Sequence, residues 1–413
     1  MILPKRRAAA AIGVQVRQFA QLSDHERELL ELAGLQTAAP VQAWKVTGTN
    51  AQLAYATHGV FRYFGKFPPP IARHLIGEFT APGQWVLDPM AGSGTTAVEA
   101  QAMGRPVVVR DISPLSQLLC RVKTTPIALQ ASADALARVL ARMADGRDNA
   151  EHAPVGLRDV GQWFLPATAA SLARIRAAIE QEAPGAEREL LLTAFASTVR
   201  RVSKATTQQG RLFLDAVTAQ PDAWPTFRTR LEKYAKAVAA LPEGTTPVVV
   251  EQGDVKAASP TGKQFQLAIC HPPYFNNYKY SSINALELAW LGVAPQSIRG
   301  PEIREAFKVG KPEKVAAYVQ DLAQAVAAVA GQLLTGGVLA LMMGDTTIRG
   351  GYIDVTRQLL TAITETGTPL RLDRVVLRVP QYTEASWVAS QRRTGATIGV
   401  TLYDFILLFS RLP

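Results

Sequence analysis

The stretch VLDPMAGSGTT, residues 86–96, decides the fold. It predicts a short buried strand that ends at Asp88 and Pro89, followed by a glycine-rich loop and then a helix. Gly92 and Gly94 follow the strand end, where the absence of a Cβ atom lets the backbone approach a ligand closely. A strand, a glycine loop and a helix in this order predict the start of a doubly wound α/β sheet.

The next strand, RPVVVRDISP (residues 105–114), ends at Asp111, where a carboxylate is placed to bond ribose hydroxyls. The loop before it has no third glycine at the dinucleotide spacing, which argues against a nicotinamide or flavin site. The remaining alternative is a purely structural turn between strand and helix. The pattern therefore favours a nucleoside-containing cofactor.

The chain divides into segments by its hydrophobic pattern. Residues 1–55 are predicted to form an N-terminal helical segment, and residues 56–125 and 246–413 a catalytic domain. Residues 126–245 are almost entirely of helical pattern and interrupt the strands as an insert. The count predicts seven strands, with the insert after the second.

A second motif, HPPYFNNYKY, occupies residues 271–280 after the predicted strand FQLAIC. Pro272 and Pro273 fix the backbone and remove two amide donors, which leaves a rigid segment of carbonyl acceptors beside the ring of Tyr274. The alternative is a structural Pro-Pro turn. Because both motifs follow parallel strands, they are expected to share one crevice at the carboxyl edge of the sheet.

Composition limits the classes of function. The net charge of +10 fits a polyanionic partner such as nucleic acid, although charge alone does not require one. Cys120 and Cys270 lie apart in apolar runs and are expected to be buried thiols of a reducing compartment. Histidine and cysteine spacing predicts no metal site, and no apolar run reaches membrane-spanning length. The sequence predicts a soluble, cytoplasmic protein.

The two motifs together resemble the amino-methyltransferases of DNA, whose signatures are a D-P-F-x-G-x-G-T loop and a [D/N/S]-P-P-[Y/F/W] tetrad. The segment FGKFPPPIARHLI (64–76) resembles the family's helix before the first strand, which completes the methionine pocket. Similarity to cytosine-N4 or adenine-N6 enzymes extends through WFLPATAASLARIRAAI, TVRRVSKA, YSSINALELAWLG, GDTTIRGGYIDV and YDFILLF. It covers roughly residues 58–410.

The resemblance implies a class I, Rossmann-like methyltransferase fold with a seven-stranded sheet and S-adenosyl-L-methionine as cofactor. The residues that it places in the cofactor pocket are Phe67, Pro68 to Pro70, Asp88, Pro89, Gly92, Gly94, Thr95 and Asp111. Asp254 matches the acidic residue that bonds the adenine amino group of the cofactor. The catalytic residues implied are His271, Pro272, Pro273 and Tyr274.

The chemistry that follows is attack by an exocyclic amine, a poor nucleophile whose lone pair is delocalised into the ring. The carbonyl within the Pro-Pro segment and the side chain of residue 271 would accept its hydrogens, while Tyr274 stacks on a base flipped out of duplex DNA. His271 departs from the family's Asp, Asn or Ser. Since imidazolium cannot accept a hydrogen bond, turnover is predicted to fall as His271 protonates. The alternative is an imidazole turned away, with only backbone oxygens at work.

DNA recognition is predicted in the helical insert and in the loop VPQYTEASWVASQRRTG, residues 379–395. Basic residues interleaved with aromatic ones suit phosphate contacts and stacking. The candidate DNA-binding residues are Arg200, Arg201, Lys204, Arg211, Tyr382, Trp387, Arg392 and Arg393. The alternative for both regions is a solvated surface.

Several questions of function stay open. Overall likeness favours cytosine-N4 over adenine-N6, and a restriction endonuclease of the same specificity is a candidate partner. An RNA or protein amino-methyltransferase is an alternative enzyme, because N-P-P-Y tetrads also serve guanine and glutamine amines. A cofactor-binding protein in which His271 has abolished catalysis is an alternative of the binding class, and a dehydrogenase is the most distant one.

Overall fold

The computed structural model describes residues 11–145, 152–206, 212–214, 220–244, 246–275, 279–303, 312–348, 351–379 and 404–413. Its strands are β1 (Gly13–Gln18), β2 (Val41–Thr47), β3 (Val86–Asp88), β4 (Val107–Asp111), β5 (Val248–Gln252), β6 (Phe265–Cys270), β7 (Leu333–Gly344), β8 (Thr346–Ile348), β9 (Gly351–Ile353), β10 (Leu370–Val379) and β11 (Asp404–Arg411).

The α-helices outside the insert are α1 (Asp24–Leu32), α2 (Pro69–Phe79), α3 (Thr95–Ala102), α4 (Pro114–Thr124), α10 (Tyr280–Ile283), α11 (Ala285–Trp290), α12 (Pro295–Arg299), α13 (Pro312–Ala330) and α14 (Val355–Glu365). The insert contains α5 (Leu129–Asp145), α6 (Val160–Trp163), α7 (Pro166–Glu180), α8 (Ala186–Arg201) and α9 (Ala223–Ala239).

The main sheet has the order β1-β2-β10-β11-β7-β6-β3-β4-β5. All its strands run parallel except β1 and β11, which are antiparallel to their neighbours. The chain proceeds outward from β3 to β5 and then returns to β6 on the other side of β3. The strand order therefore reverses between β3 and β6, which is where open α/β sheets bind ligands.

The predicted doubly wound α/β fold is confirmed, whereas the predicted count of seven strands is wrong because the main sheet has nine. The two additional strands, β1 and β2, lie in the segment predicted to be helical, of which only α1 is an α-helix. The missed strand β1 lies at the edge of the sheet and is largely exposed. Its weak apolar alternation is a poor signal, because an edge strand buries few side chains.

Both faces of the sheet are covered by helices, as alternate strand residues point to opposite sides. On one face, Leu339 and Leu341 of β7 pack with the apolar side of α13 and α14. On the other face, Ala340 and Met342 pack with α2 and α3. The strands that carry the two motifs are therefore held between two layers of helices.

The insert has a hydrophobic core of its own that continues into the catalytic region. This core includes Leu118 and Val122 of α4 and Leu286 and Trp290 of α11, packed with the insert helices. The ring of Trp290 meets Phe164 and Phe195 edge-on, with centroids 5.7 and 6.2 Å away. The insert is thus anchored beside the helices that follow β4 and β6.

No helix within the described ranges is long and apolar enough to cross a membrane. Over the same residues, no group of three or more His, Cys, Asp or Glu side chains is arranged to hold a metal ion. Cys120 and Cys270 are free, buried thiols.

Candidate active site

The glycine loop and the His-Pro-Pro segment open onto one cleft at the carboxyl edge of the sheet. The cleft encloses about 980 Å³ of space outside the protein atoms, part of it open to solvent. Its lining includes Gly92 from the loop after β3, His271 and Pro273 from the segment after β6, and Asp254 from the turn after β5. The structure thus brings together the two motifs that the sequence predicts to share a crevice.

The glycine loop turns sharply because two glycines adopt left-handed backbone conformations. Gly92 has a φ of +48° and Gly94 a φ of +76°. A Cβ atom on Gly94 would lie 3.1 Å from the Sγ atom of Cys120 and 3.3 Å from its Cα atom, so the loop packs directly onto α4. Gly94 is also the N-cap of α3, although it does not line the cleft itself.

A buried lysine supports the same loop from below. The Nζ atom of Lys123 donates a hydrogen bond of 2.7 Å to the carbonyl oxygen of Ser93. Burial, together with the positive charge of Lys66, lowers the pKa of Lys123 to about 7. The Lys123 side chain therefore holds the Ser93 carbonyl in place, although burial and Lys66 destabilise its protonated form.

The two predicted carboxylates at the strand ends line the cleft, Asp88 buried and Asp111 partly exposed. Burial raises the pKa of Asp88 to about 7 and that of Asp111 to about 6. The Oδ2 atom of Asp111 accepts the Gly92 amide at 2.9 Å, and its Oδ1 atom accepts the Ser113 amide at 2.8 Å. These bonds partly offset the effect of burial and orient the Asp111 carboxylate. The Ser116 side chain also hydrogen-bonds this carboxylate, which leaves about one of its four lone-pair sites for a ligand.

The segment before α2 forms the opposite wall. Phe67 is buried, and its carbonyl oxygen accepts a hydrogen bond of 3.2 Å from the Oγ1 atom of Thr95. Pro68 is the N-cap of α2, and prolines occupy the first positions of that helix, where a missing amide hydrogen costs nothing. The ring of Phe67 lies 5.4 Å from that of His271. Phe67 therefore contacts both the start of α3, through Thr95, and the tetrad, through His271.

Within the tetrad, His271 and Tyr274 contact each other. The Nε2 atom of His271 lies 3.2 Å from the phenol oxygen of Tyr274, and the two rings meet edge-on. The carbonyl oxygen of Pro273 accepts a hydrogen bond of 2.6 Å from Tyr318. Burial, and secondarily the positive charge of Arg378, lowers the pKa of His271 to about 3.

A smaller hollow, here called the side pocket, adjoins the cleft on the other side of His271. It encloses about 550 Å³ outside the protein atoms. Its walls are Gly65, Lys66, Phe67, Pro68, His271, Pro272, Tyr274, Tyr280, Met342, Arg378 and Asp404. Pro272 and Tyr274 line the side pocket, Asp111 lines the cleft, and Phe67 and His271 line both.

Several lining residues are absent from the sequence-based set. Tyr63 and Lys66 stand in the segment YFGKF immediately before Phe67, and Tyr280 ends the HPPYFNNYKY motif, so proximity to a motif was an available signal. The ring of Tyr280 stacks on that of Tyr63, with centroids 5.6 Å apart. Glu302, which accepts hydrogen bonds from Ser281, had no such signal.

Of the predicted DNA-binding residues in the insert, Arg200 is buried. Its guanidinium lies 4.8 Å over the ring of Phe64 and donates to the carbonyl oxygens of Thr206 and Ile283. This placement does not suit a phosphate contact, because the donors are directed at the protein backbone. Arg201 is exposed, and Lys204 is half-buried with its Nζ atom on a backbone carbonyl. Neither lies in the cleft.

The other predicted DNA-binding residues lie outside the described residues. They are Arg211, Tyr382, Trp387, Arg392 and Arg393. Their role in contacting DNA stays a prediction.

Comparison with known proteins agrees with the motifs. A family model described as DNA methylase matches residues 27–115. The type II methyltransferase M.MjaII of Methanocaldococcus jannaschii is 38% identical over 66 residues, covering 16% of this chain and 12% of that protein. The type II methyltransferase M.MvaI of Kocuria varians is 25% identical over 268 residues, covering 59% of each. The chain thus spans little more than half the length of the longer match.

Among solved structures, TrmN from Thermus thermophilus aligns with 84% of this chain and 50% of its own, at a TM-score of 0.33 and 12% identity. The fold class defined by the sheet order and the cleft is that of class I, Rossmann-like methyltransferases. Residues 27–115 match the DNA methylase family model, and the chain is similar over part of its length to the two type II methyltransferases.

Proposed function

We propose that this protein transfers a methyl group from S-adenosyl-L-methionine to an exocyclic amino nitrogen of a base in double-stranded DNA, with cytosine-N4 as the favoured target. The observation that carries the proposal is that Gly92, His271 and Pro273 line one cleft, while Pro272 and Tyr274 line the side pocket that shares His271 with it. A purely structural turn at either motif gives no reason for the two to meet.

The residues of the cleft fit the cofactor. The left-handed turn at Gly92 brings bare backbone to the cleft, and a Cβ atom there would meet the ring of Tyr63 at 3.4 Å. Asp111 and Asp254 supply carboxylates for the ribose hydroxyls and for the adenine amine, and Phe67 supplies an apolar wall. When bound, S-adenosyl-L-methionine supplies an electrophilic methyl group on its sulfonium.

The tetrad's task is to raise the nucleophilicity of the amine. The carbonyl of Pro272 accepts one amine hydrogen, and the imidazole of His271 accepts the other. Neutral imidazole has a single acceptor nitrogen. The acceptor role therefore requires that Nε2 donate to the oxygen of Tyr274, which leaves Nδ1 for the amine. In this arrangement Tyr274 selects the tautomer of His271.

The lowered pKa of His271 changes the expected pH dependence. With an ordinary histidine pKa, protonation would reduce turnover between pH 8 and pH 5.5. With a pKa of about 3, the imidazole stays neutral and able to accept throughout that range. A flat profile over this range is therefore expected whether or not His271 accepts, so substitution is the better test.

Replacing His271 separates the two roles that the imidazole can have. His271→Phe keeps a ring but removes the acceptor and is expected to lower kcat by about 10- to 100-fold. His271→Asn, which restores a residue usual in the family, is expected to keep most of the activity. Cofactor affinity, measured by calorimetry, serves as the control for folding. Wild-type kcat in His271→Phe would show that backbone oxygens act alone.

The function itself is tested by expressing the chain in a methylation-free bacterium and sequencing the DNA by a single-molecule method. Methylated cytosine or adenine at a defined sequence is the expected result. The purified protein is then offered DNA, RNA and protein with labelled cofactor. Label in RNA or protein alone, or cofactor binding without any transfer, would contradict the proposal and support the corresponding alternative.

The proposed substrate carries three further expectations. The target base is flipped out of the duplex, at a cost of a few kcal/mol that stacking and edge contacts offset. A restriction endonuclease of the same specificity is a candidate partner, since both relatives are named type II methyltransferases. In a prokaryotic cell, a DNA substrate implies action in the cytoplasm.

A further inference from the structure

The side pocket contains an ion pair that neither motif explains. Arg378 stands near the end of β10, and Asp404 is the first residue of β11, where the two are register partners. The Nη2 atom of Arg378 pairs with the Oδ2 atom of Asp404. Their side chains are only 19% and 7% exposed. Because β11 runs antiparallel, its first residue lies at the edge where the parallel strands end.

The pair faces the tetrad. Arg378 and Asp404 line the side pocket together with His271, Pro272 and Tyr274. The positive charge of Arg378 is close enough to contribute to the lowered pKa of His271. An amine held between the carbonyl of Pro272 and the imidazole of His271 would lie in the pocket that Arg378 and Asp404 also line.

A largely buried ion pair is a weak source of stability, because the loss of hydration opposes the attraction. The pair is better suited to hydrogen-bonding a ligand than to stabilising the fold. A guanidinium carries five N–H donors in a flat fork, and a carboxylate on one side leaves further donors for a second planar acceptor. The edge of cytosine beside its amine presents two adjacent acceptors, N3 and O2. The corresponding edge of adenine presents N1 and then a C–H group.

We propose that the ion pair of Arg378 and Asp404 reads the edge of the flipped base and selects cytosine over adenine. The guanidinium of Arg378 donates to N3 and O2 of the base. Asp404 is a positioning residue that holds the guanidinium in the plane of the ring. This assignment rests on the proposed function, since it requires a flipped base in the side pocket. Adenine in the same place would leave one donor opposite a C–H group, and sites built for hydrogen bonds reject analogues that lack them.

The test pairs a change in the protein with a change in the base. Wild type and Arg378→Met are assayed on two duplexes that carry the recognition sequence, one with cytosine and one with 3-deazacytosine at the target. The analogue replaces N3 by C–H and keeps the amine. For wild type, kcat/KM is expected to be lower on 3-deazacytosine than on cytosine. This ratio is expected to exceed the same ratio for Arg378→Met by about 10- to 100-fold. Arg378→Met is expected to lose a similar factor on cytosine itself.

Two further variants sharpen the result. Arg374→Met is the matched control, because Arg374 stands on the same strand but is paired with Glu78 outside the pocket. It is expected to behave as wild type. Asp404→Asn is expected to show a smaller loss in the same direction as Arg378→Met. Cofactor affinity confirms folding, and Arg378→Lys, which keeps the charge but lacks the fork, replaces Arg378→Met if that variant does not fold.

The outcomes separate this assignment from the proposed function. Equal sensitivity of wild type and Arg378→Met to the analogue would overturn the assignment and leave DNA methylation standing. N6-methyladenine as the wild-type product would also overturn it. Failure of the wild type to methylate any DNA would overturn the proposed function, and the assignment with it.

Discussion

Asp111 accepts hydrogen bonds from the amides of Gly92 and Ser113, so one carboxylate ties the glycine loop to the end of the next strand. Its burial raises its pKa to about 6. Burial favours the protonated form of this carboxyl group unless a ligand donates a hydrogen bond to it. The hydroxyls of a ribose are such donors, and they favour the ionised form. Binding of the cofactor and ionisation of Asp111 are therefore expected to be coupled.

The coupling predicts how cofactor affinity depends on pH. The cofactor is expected to bind the ionised form of Asp111 better than the protonated form. Below a pH of about 6, Asp111 must therefore lose a proton when the cofactor binds, which weakens binding. Affinity is expected to be constant near pH 8 and to fall about tenfold between pH 8 and pH 5, most of it below pH 6. Isothermal titration calorimetry over this range measures the effect.

Asp111→Asn is expected to weaken binding at pH 8 and to remove the part of the pH dependence that Asp111 causes. Asp373→Asn is the control, because Asp373 is a surface carboxylate on β10. An unchanged wild-type affinity from pH 8 to pH 5 would contradict the role of Asp111.

Between β3 and α3, the loop depends on two conformations that only glycine adopts without strain. Gly94 has both a positive φ and a Cβ direction that points at Cys120, whereas Gly104 at the other end of α3 has a positive φ of +72° with no atom within 4 Å of its Cβ position. The two glycines therefore differ only in crowding. This contrast separates backbone strain from contact with α4.

Gly94→Ala is expected to lower the free energy of unfolding by more than Gly104→Ala. Strain from a positive φ costs on the order of 1–3 kcal/mol in both variants. The contact with Cys120 adds to it in Gly94→Ala alone, and it is expected to displace the loop and weaken cofactor binding. Urea unfolding and calorimetry measure the two effects. Equal losses of stability in both variants would show that the contact with Cys120 on α4 adds no measurable destabilisation.

For the molecule as a whole, the insert and the catalytic region share a hydrophobic core. Trp290 stands in α11, directly beside helices that line the cleft, yet its ring packs against Phe164 and Phe195 of the insert. The two parts of the chain are therefore expected to unfold together. If the insert moved when DNA binds, the same contacts would displace the wall of the cleft.

Trp290→Ala is expected to cost about 3–5 kcal/mol of stability, the usual range for removing a large buried aromatic ring. Hydrogen exchange is expected to show lost protection in α7 and α8 and also in α11. Trp224→Ala is the matched control, since Trp224 is half-buried on α9 and packs on Phe227 within the insert. Lost protection confined to the insert in both variants would contradict a shared core.

The glycine-loop side of the cleft was predictable because its lining residues belong to local motifs. Gly92, Asp88 and Asp111 stand at strand ends that the apolar pattern reveals, and a strand end defines an edge of the sheet. Lys66 and Tyr280 were within reach, as they flank the motifs. Arg378 and Asp404 were not, because their strands meet only after the sheet has formed. The burial of Arg200 was equally unpredictable, since the residue type alone does not show whether an arginine lies on the buried or the exposed face of a helix.

The sequence by itself determined the type of sheet, the glycine loop and the Pro-Pro segment. These follow from short-range patterns, in which a few neighbouring residues decide backbone conformation. Only the tertiary structure decided that the main sheet has nine strands, that His271 is held neutral, and that an ion pair from two distant strands lines the pocket beside it. The reason is that burial, charge proximity and strand pairing depend on which distant segments meet.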